Sequence, residues 1–234
     1  MDNMYYAISL SVEPGDVPRD FLYTDYRFFF EKFGCRLVYL PNHAGAIGSY
    51  FDDLPLSGVI LSGGNDLSAE FTGQVDLDIR NPAPGRDAAE KKILDLAVAR
   101  KMPVLGICRG MQFINCYFGG SITQKIGEQG GAKQPHVKRK HMIAICDNET
   151  SEFLGAKEME VNSYHHQGIK KDQVAADLKI MAISPGDGIV EAVYHPSLPL
   201  VGVQWHPERE GSSPEVNDRL IEAFVWRKHH WKDK

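Results

Sequence analysis

The sequence predicts an α/β protein, a mostly parallel sheet covered by helices on both faces with some antiparallel strands in its second half. Three observations carry this. Through the first half, short apolar runs of strand type alternate with helix-type runs, the pattern of a parallel sheet with crossover helices. Two of those strand runs end in glycine turns, at Gly63-Gly64 and at Gly106 to Gly110, and strand carboxyl ends are where such sheets bind ligands. After residue 140 the β-type runs follow one another closely with turn residues between them, as antiparallel strands do.

Tyr5 to Val12 is β-rich and alternating, and Glu13-Pro14-Gly15-Asp16 breaks it, so it reads as the first strand. Phe21 to Phe33 carries aromatics at near-helical spacing and stops at Gly34; Phe28-Phe29-Phe30 reads as a helix face packed on the sheet. Cys35 to Leu40 is the next strand, Ala46 to Leu54 the next helix, and Gly58 to Ser62 a buried strand leading into Gly63-Gly64-Asn65-Asp66. Thr72 to Pro84 lacks periodicity and reads as an exposed loop overhanging the strand ends. Arg86 to Arg100 is amphipathic, with Ile93, Leu94, Leu96 and Ala97 facing inward. A strand then runs from Met102 to the second glycine turn, and the helix after it, Met111 to Phe118, stops at Gly119-Gly120.

Ser121 to Lys140 is polar, and its basic run His136 to His141 reads as a solvated strand edge. Met142 to Cys146, Met159 to Ser163, Lys179 to Ile183, Ile189 to Tyr194 and Leu200 to Trp205 read as strands, and Val216 to Trp226 as a closing helix. The tail from His229 to Lys232 is expected to fray.

The 234 residues fit one domain, 1–234, with 43% apolar and 24% charged residues, which excludes a mainly disordered chain. A net charge of −5 and a pI near 6.0 argue against nucleic acid or an anionic membrane as the partner. Cysteines at 35, 108, 116 and 146 form no C-x-x-C pair. The N-terminus carries no signal-peptide pattern and no apolar run is long enough to span a bilayer, so the expected location is the cytoplasm.

The chemistry centres on Gly106-Ile107-Cys108-Arg109-Gly110. A nucleophile between a strand and a helix projects from the sheet's carboxyl edge, and flanking glycines allow the strained backbone. The new helix's N-terminus favours a thiolate there. On this basis Cys108 is expected to be exposed and activated; the competing reading is a buried structural cysteine.

A cysteine nucleophile needs a base, and the base an orienting group. His206-Pro207-Glu208 follows the strand Val201 to Trp205, and alternation puts His206 and Glu208 on one side, so a Cys108–His206–Glu208 triad is expected. Oxyanion donors are sought at the Arg109 backbone N–H and the Gly63-Gly64 turn. The set His165, His166, His206, Glu208 and Cys108 contains zinc-type ligands, but neighbouring histidines face opposite ways on an extended chain and no zinc spacing is present, so no metal is expected.

Five ordered segments together resemble the class I glutamine amidotransferase-like superfamily, and within it the gamma-glutamyl-gamma-aminobutyrate hydrolase family of cysteine peptidases. They are Leu61 to Asp66, Arg86-Asp87-Ala88-Ala89-Glu90, Pro103 to Asn115 with Gly119-Gly120, Asn162 to Gln167, and Gly202 to Glu208. The resemblance implies a flavodoxin-like three-layer α/β/α sandwich and thiol hydrolysis of a gamma-glutamyl amide without a cofactor. It implies that Cys108 attacks, His206 shuttles the proton and Glu208 orients it. Gly64 and Arg109 then supply oxyanion N–H groups, and Gln112 with Ser163, Tyr164, His165 and His166 holds the glutamyl end.

The chain departs from relatives after the first turn, reading Leu67-Ser68-Ala69-Glu70-Phe71 where they often carry proline and tyrosine. The leaving group therefore stays open. Gamma-aminobutyrate is the default; another small amine, or a gamma-glutamyl nucleotide phosphoramidate of surface-polysaccharide biosynthesis, is the alternative, and Lys138 to His141 would suit the phosphate of the latter. The expected partner is the small substrate, with monomer and homodimer both compatible. Two rival functions are a glutaminase subunit feeding ammonia to a separate synthetase, and a catalytically inactive binding module.

Overall fold

The computed structural model describes residues 4–75, 79–124, 126 and 137–232. The first half gives β1 (Met4–Ser9), β2 (Ser11–Glu13), β3 (Arg19–Phe21), α1 (Thr24–Glu31), β4 (Cys35–Leu40), α2 (Ala44–Asp53), β5 (Leu56–Leu61), α3 (Ala69–Thr72), α4 (Pro84–Ala99), β6 (Val104–Ile107) and α5 (Arg109–Tyr117). The second half gives β7 (Thr123–Gln124), β8 (Val137–Ile145), α6 (Asn148–Leu154), β9 (Glu158–Tyr164), β10 (Gln167–Lys170), β11 (Lys179–Ile183), β12 (Ile189–Tyr194), β13 (Leu200–Val203) and α7 (Pro214–Val225).

The main sheet runs β4-β1-β5-β6-β13-β12-β11-β8-β9. Strands β4, β1, β5, β6 and β13 are mutually parallel, and from β12 onward the pairings are antiparallel. Alternation sorts the core into two faces. Tyr6, Ile8, Ile60, Leu105 and Ile107 pack with Phe30 of α1 and Leu220 and Phe224 of α7. Ala7, Val59, Leu61 and Val104 pack on the other side with Ile47 of α2, Ile93 and Leu94 of α4 and Phe113 of α5. The result is a helix, sheet, helix sandwich of flavodoxin-like type. The aligned register Leu61↔Gly106 and Gly106↔Gly202 brings the carboxyl ends of β5, β6 and β13 side by side.

Several elements differ from the sequence reading. The first strand breaks at Leu10, because β2 leaves the sheet to pair with β3 while the Asn65 side chain takes up the N–H and carbonyl of Val12. Phe21 belongs to β3, so the first helix is shorter than its aromatics imply, and Phe28 is 57% exposed while Phe29 and Phe30 are buried. Ser68, capping Phe71 N–H, starts the short helix α3 just before the expected loop. Residues 76–78 of that loop lie outside the described residues, and Pro84 already opens α4. Leu96 is only half-buried.

The tail does not fray: Trp231 is fully buried, donates its indole N–H to the Val104 carbonyl at 2.8 Å and lies edge-on to Phe224. Lys138, Arg139 and Lys140 are solvent-exposed as expected and lie where β8 pairs with β9 on one side, its pairing with β11 being confined to Ala144 and Ile145; His136 lies outside the described residues. The sequence pattern also left α6 and β10 unassigned. Among the described residues no helix is long and apolar enough to cross a membrane.

Candidate functional site

Cys108 stands between β6 and α5 with φ 54° and ψ −105°, a strained conformation for a residue with a side chain. Its N–H is held by the Val203 carbonyl at 2.7 Å, and its carbonyl accepts the N–H groups of Met111 and Gln112. The helix can start this close to the sheet only because residue 110 lacks a side chain: a Cβ there would lie 2.2 Å from the Leu61 carbonyl oxygen. Cys108 is 7% exposed. This corrects the expectation of an exposed sulfur: Cys108 is buried where the carboxyl ends of β5, β6 and β13 lie side by side.

Beside it stand His206 and Glu208. Nδ1 of His206 lies 2.6 Å from Oε1 of Glu208, and both residues are buried. Asn162 of β9 brackets the His206 backbone, accepting its N–H at 2.9 Å and donating to its carbonyl at 2.8 Å. Burial on its own pulls the imidazolium pKa down, but the Glu208 carboxylate and then the Cys108 sulfur outweigh it. The His206 pKa is pushed up to about 9. The other Glu208 oxygen, Oε2, is buried without a hydrogen-bond partner.

Next to them is the turn after β5. A Cβ on Gly63 would lie 2.7 Å from Cε1 of His206 and 3.5 Å from Cβ of Cys108, so the turn packs directly on the Cys108 side chain and the imidazole. The Gly63 N–H donates to the Tyr26 hydroxyl at 2.8 Å. Burial, and next the Glu208 charge, raise the Tyr26 pKa and keep that hydroxyl protonated. The Arg109 N–H opens α5, where helical geometry supplies no acceptor four residues back. The Arg109 side chain is buried in ion pairs with Asp87 and Glu90 of α4.

The remaining candidates occupy different positions. Gln112 is buried, and its Nε2 donates to the Gln167 carbonyl at 3.1 Å and to Oε1 of Gln204 at 3.2 Å. Gln204 in turn directs Nε2 at the Cys108 sulfur, 3.6 Å away. Ser163 is buried on β9, while Tyr164 is 40% exposed and sets its ring edge-on to His206 with centroids 5.7 Å apart. His166 reaches the first turn, with Nε2 3.4 Å from Oδ2 of Asp66. His165 faces the other way: it is buried, with Nδ1 2.9 Å from the Gln167 carbonyl and Nε2 4.0 Å from Glu191.

Three groups at the site go beyond the sequence reading. Gln204 shares the two-residue alternation of His206 and Glu208, a signal the strand pattern carries. Asn162 and Tyr26 come from distant segments, and only the packed chain brings them in. Among the described residues, no group of three or more His, Cys, Asp or Glu is arranged to hold a metal ion. A separate 860 Å³ cleft, lined by Met4, Lys32, Cys35, Tyr39, Glu222 and Trp226 among others, contains none of these residues.

A family model for Peptidase C26 matches residues 11–208. A Schizosaccharomyces pombe protein named, provisionally, a glutamine amidotransferase is 32% identical over 210 residues, covering 85% of this chain and 79% of its own. The gamma-glutamyl-gamma-aminobutyrate hydrolase PuuD of Escherichia coli K12 is 31% identical over 220 residues, covering 84% of this chain and 82% of its own. A solved structure of a glutamine amidotransferase from Thermotoga maritima superposes with a TM-score of 0.59. It covers 96% of this chain and 83% of its own, and at 19% identity it bears on the fold alone.

Proposed function

The chain belongs to the Peptidase C26 family of the class I glutamine amidotransferase-like superfamily, and on that premise we propose that it hydrolyses a gamma-glutamyl amide through a thioester on Cys108. The observation that carries this reading is the strained Cys108 elbow beside a buried His206–Glu208 pair 2.6 Å apart.

In this reading the Cys108 thiolate, facing the His206 imidazolium, attacks the gamma-carbonyl carbon, and the carbonyl electrons move onto oxygen. The N–H groups of Gly64 and Arg109 receive that oxyanion. As it collapses, the C–N bond breaks and His206 gives its proton to the leaving nitrogen, while Glu208 holds the ring. A water molecule, deprotonated by the now neutral His206, attacks the thioester and frees glutamate and the thiolate. No step calls for a cofactor. Gln112 and the segment Ser163 to His166 hold the glutamyl end, with the buried His165 shaping that segment.

The leaving group is anionic in this reading. Arg139 pairs in register with Ser163, Lys138 beside it is exposed, and the Arg209 guanidinium lies 4.9 Å from the Tyr164 ring centre. Such a rim suits the carboxylate of gamma-aminobutyrate or the phosphate of a nucleotide phosphoramidate. The partner is a small molecule, consistent with a net charge of −5.

The test is glutamate release from glutamine, gamma-glutamyl-gamma-aminobutyrate, neutral gamma-glutamyl alkylamides and a gamma-glutamyl phosphoramidate nucleotide, with Cys108→Ala as blank. Strong turnover of an anionic member over glutamine is expected. The names carried by several relatives favour a second reading, a glutaminase subunit that passes ammonia to a separate synthetase. Weak activity on every compound, rising steeply for glutamine when a synthetase is added, would select it.

A further inference from the structure

We propose that Ser11 and Arg86 are positioning residues that hold the Gly63–Gly64 peptide with its N–H turned toward the carbonyl oxygen of a substrate on Cys108. This rests on the hydrolase reading, in which Gly64 donates to the oxyanion.

A peptide between two glycines rotates at little steric cost. If this one turned over, its carbonyl would face the developing negative charge and repel it, so its orientation has to be fixed from outside. The Gly63 carbonyl accepts a hydrogen bond from Oγ of Ser11 at 3.0 Å, and that Oγ accepts one from Nη1 of Arg86 at 3.1 Å. The described peptides are all trans, so tying the Gly63 oxygen to Ser11 turns the Gly64 N–H to the opposite side.

The same guanidinium fixes the residues on either side. Nη2 of Arg86 donates to the Ser62 carbonyl at 2.7 Å, and Nη1 to Oδ1 of Asn65 at 3.2 Å. The fit is close enough to demand glycine: at φ 121°, a Cβ on Gly64 would lie 2.2 Å from Oγ of Ser11 and 2.9 Å from Nη1 of Arg86. Arg86 is fully buried and paired at 2.9 Å with Glu90, the same carboxylate that holds Arg109. Both proposed oxyanion donors are therefore anchored to the first turns of α4, one through Arg86 and one through the Arg109 side chain.

The test compares wild type, Ser11→Ala and Arg86→Lys for kcat and KM on the best gamma-glutamyl substrate, for Cys108 alkylation by iodoacetamide, and for thermal midpoint. Alkylation occurs at a saturated carbon and develops no oxyanion, so it reads the thiol without reading the clamp. For Ser11→Ala, kcat should fall about 10- to 100-fold with KM within about threefold, while alkylation rate and midpoint stay near wild type. Arg86→Lys should lose more activity and also lower the midpoint, since a lysine cannot reach all the acceptors at once. Wild-type kcat in Ser11→Ala, or alkylation falling in proportion to kcat, overturns the proposal while leaving the hydrolase reading intact. A wild-type protein that alkylates normally yet releases no glutamate overturns the hydrolase reading and this assignment with it.

Discussion

Nδ1 of His206 and Oε1 of Glu208 lie 2.6 Å apart in the buried region above Cys108, two residues from each other along the strand end that follows β13. A contact this short between a carboxylate and an imidazole stabilises the charged ring. It also commits Nδ1, leaving Nε2 as the nitrogen free to exchange a proton at the sulfur.

The first consequence is a pH dependence. The folded-state pKa of His206, about 9, is above its ordinary value of 6.5, so its stabilising contribution is complete below about pH 6.5 and is lost as pH rises to about 9. Urea midpoints measured across that range should decline for wild type and stay flatter for His206→Gln. The activity profile should show a basic limb near 9, as His206 loses its proton.

Glu208→Gln removes the charge that holds the imidazolium while keeping the shape. Steady-state kinetics should show kcat reduced by roughly 10² to 10⁴-fold, with the basic limb moved to lower pH. An unchanged profile would remove Glu208 from the proton-transfer chain.

Asn162→Ala removes both hydrogen bonds that bracket the His206 backbone and leaves its buried N–H unpaired. The expected cost is about 1–3 kcal/mol by urea denaturation, with kcat falling more than KM rises. Equal loss in an activity-independent core variant of matched stability would reduce Asn162 to a purely structural role.

Trp231→Ala should destabilise the protein by about 3–5 kcal/mol, because a fully buried indole and its 2.8 Å hydrogen bond to Val104 are lost together. A frayed tail would instead leave the denaturation midpoint untouched.

The alternation of strand and helix runs made the parallel half of the sheet legible, since Gly58 to Ser62 and Cys35 to Leu40 carry their own periods and stop signals. The turn at Cys108 was equally legible, because Gly106 and Gly110 mark where α5 must approach β5 and β6. Trp231 was not: a short polar tail carries no local sign that its indole fills the core. Nor was the charge cluster beneath the site, because Arg86, Asp87 and Glu90 read locally as the polar face of a helix and only tertiary packing buries them against Arg109. The depth of Cys108 depends on the turn at Gly63 and on His206, contributed by segments far along the chain.

The most direct test of the account is rapid acid quench of the protein turning over its preferred gamma-glutamyl substrate, followed by peptide mass spectrometry. One gamma-glutamyl group is expected on Cys108, appearing within the first turnover and absent from Cys108→Ala along with all glutamate release. Turnover that persists in Cys108→Ala would contradict it.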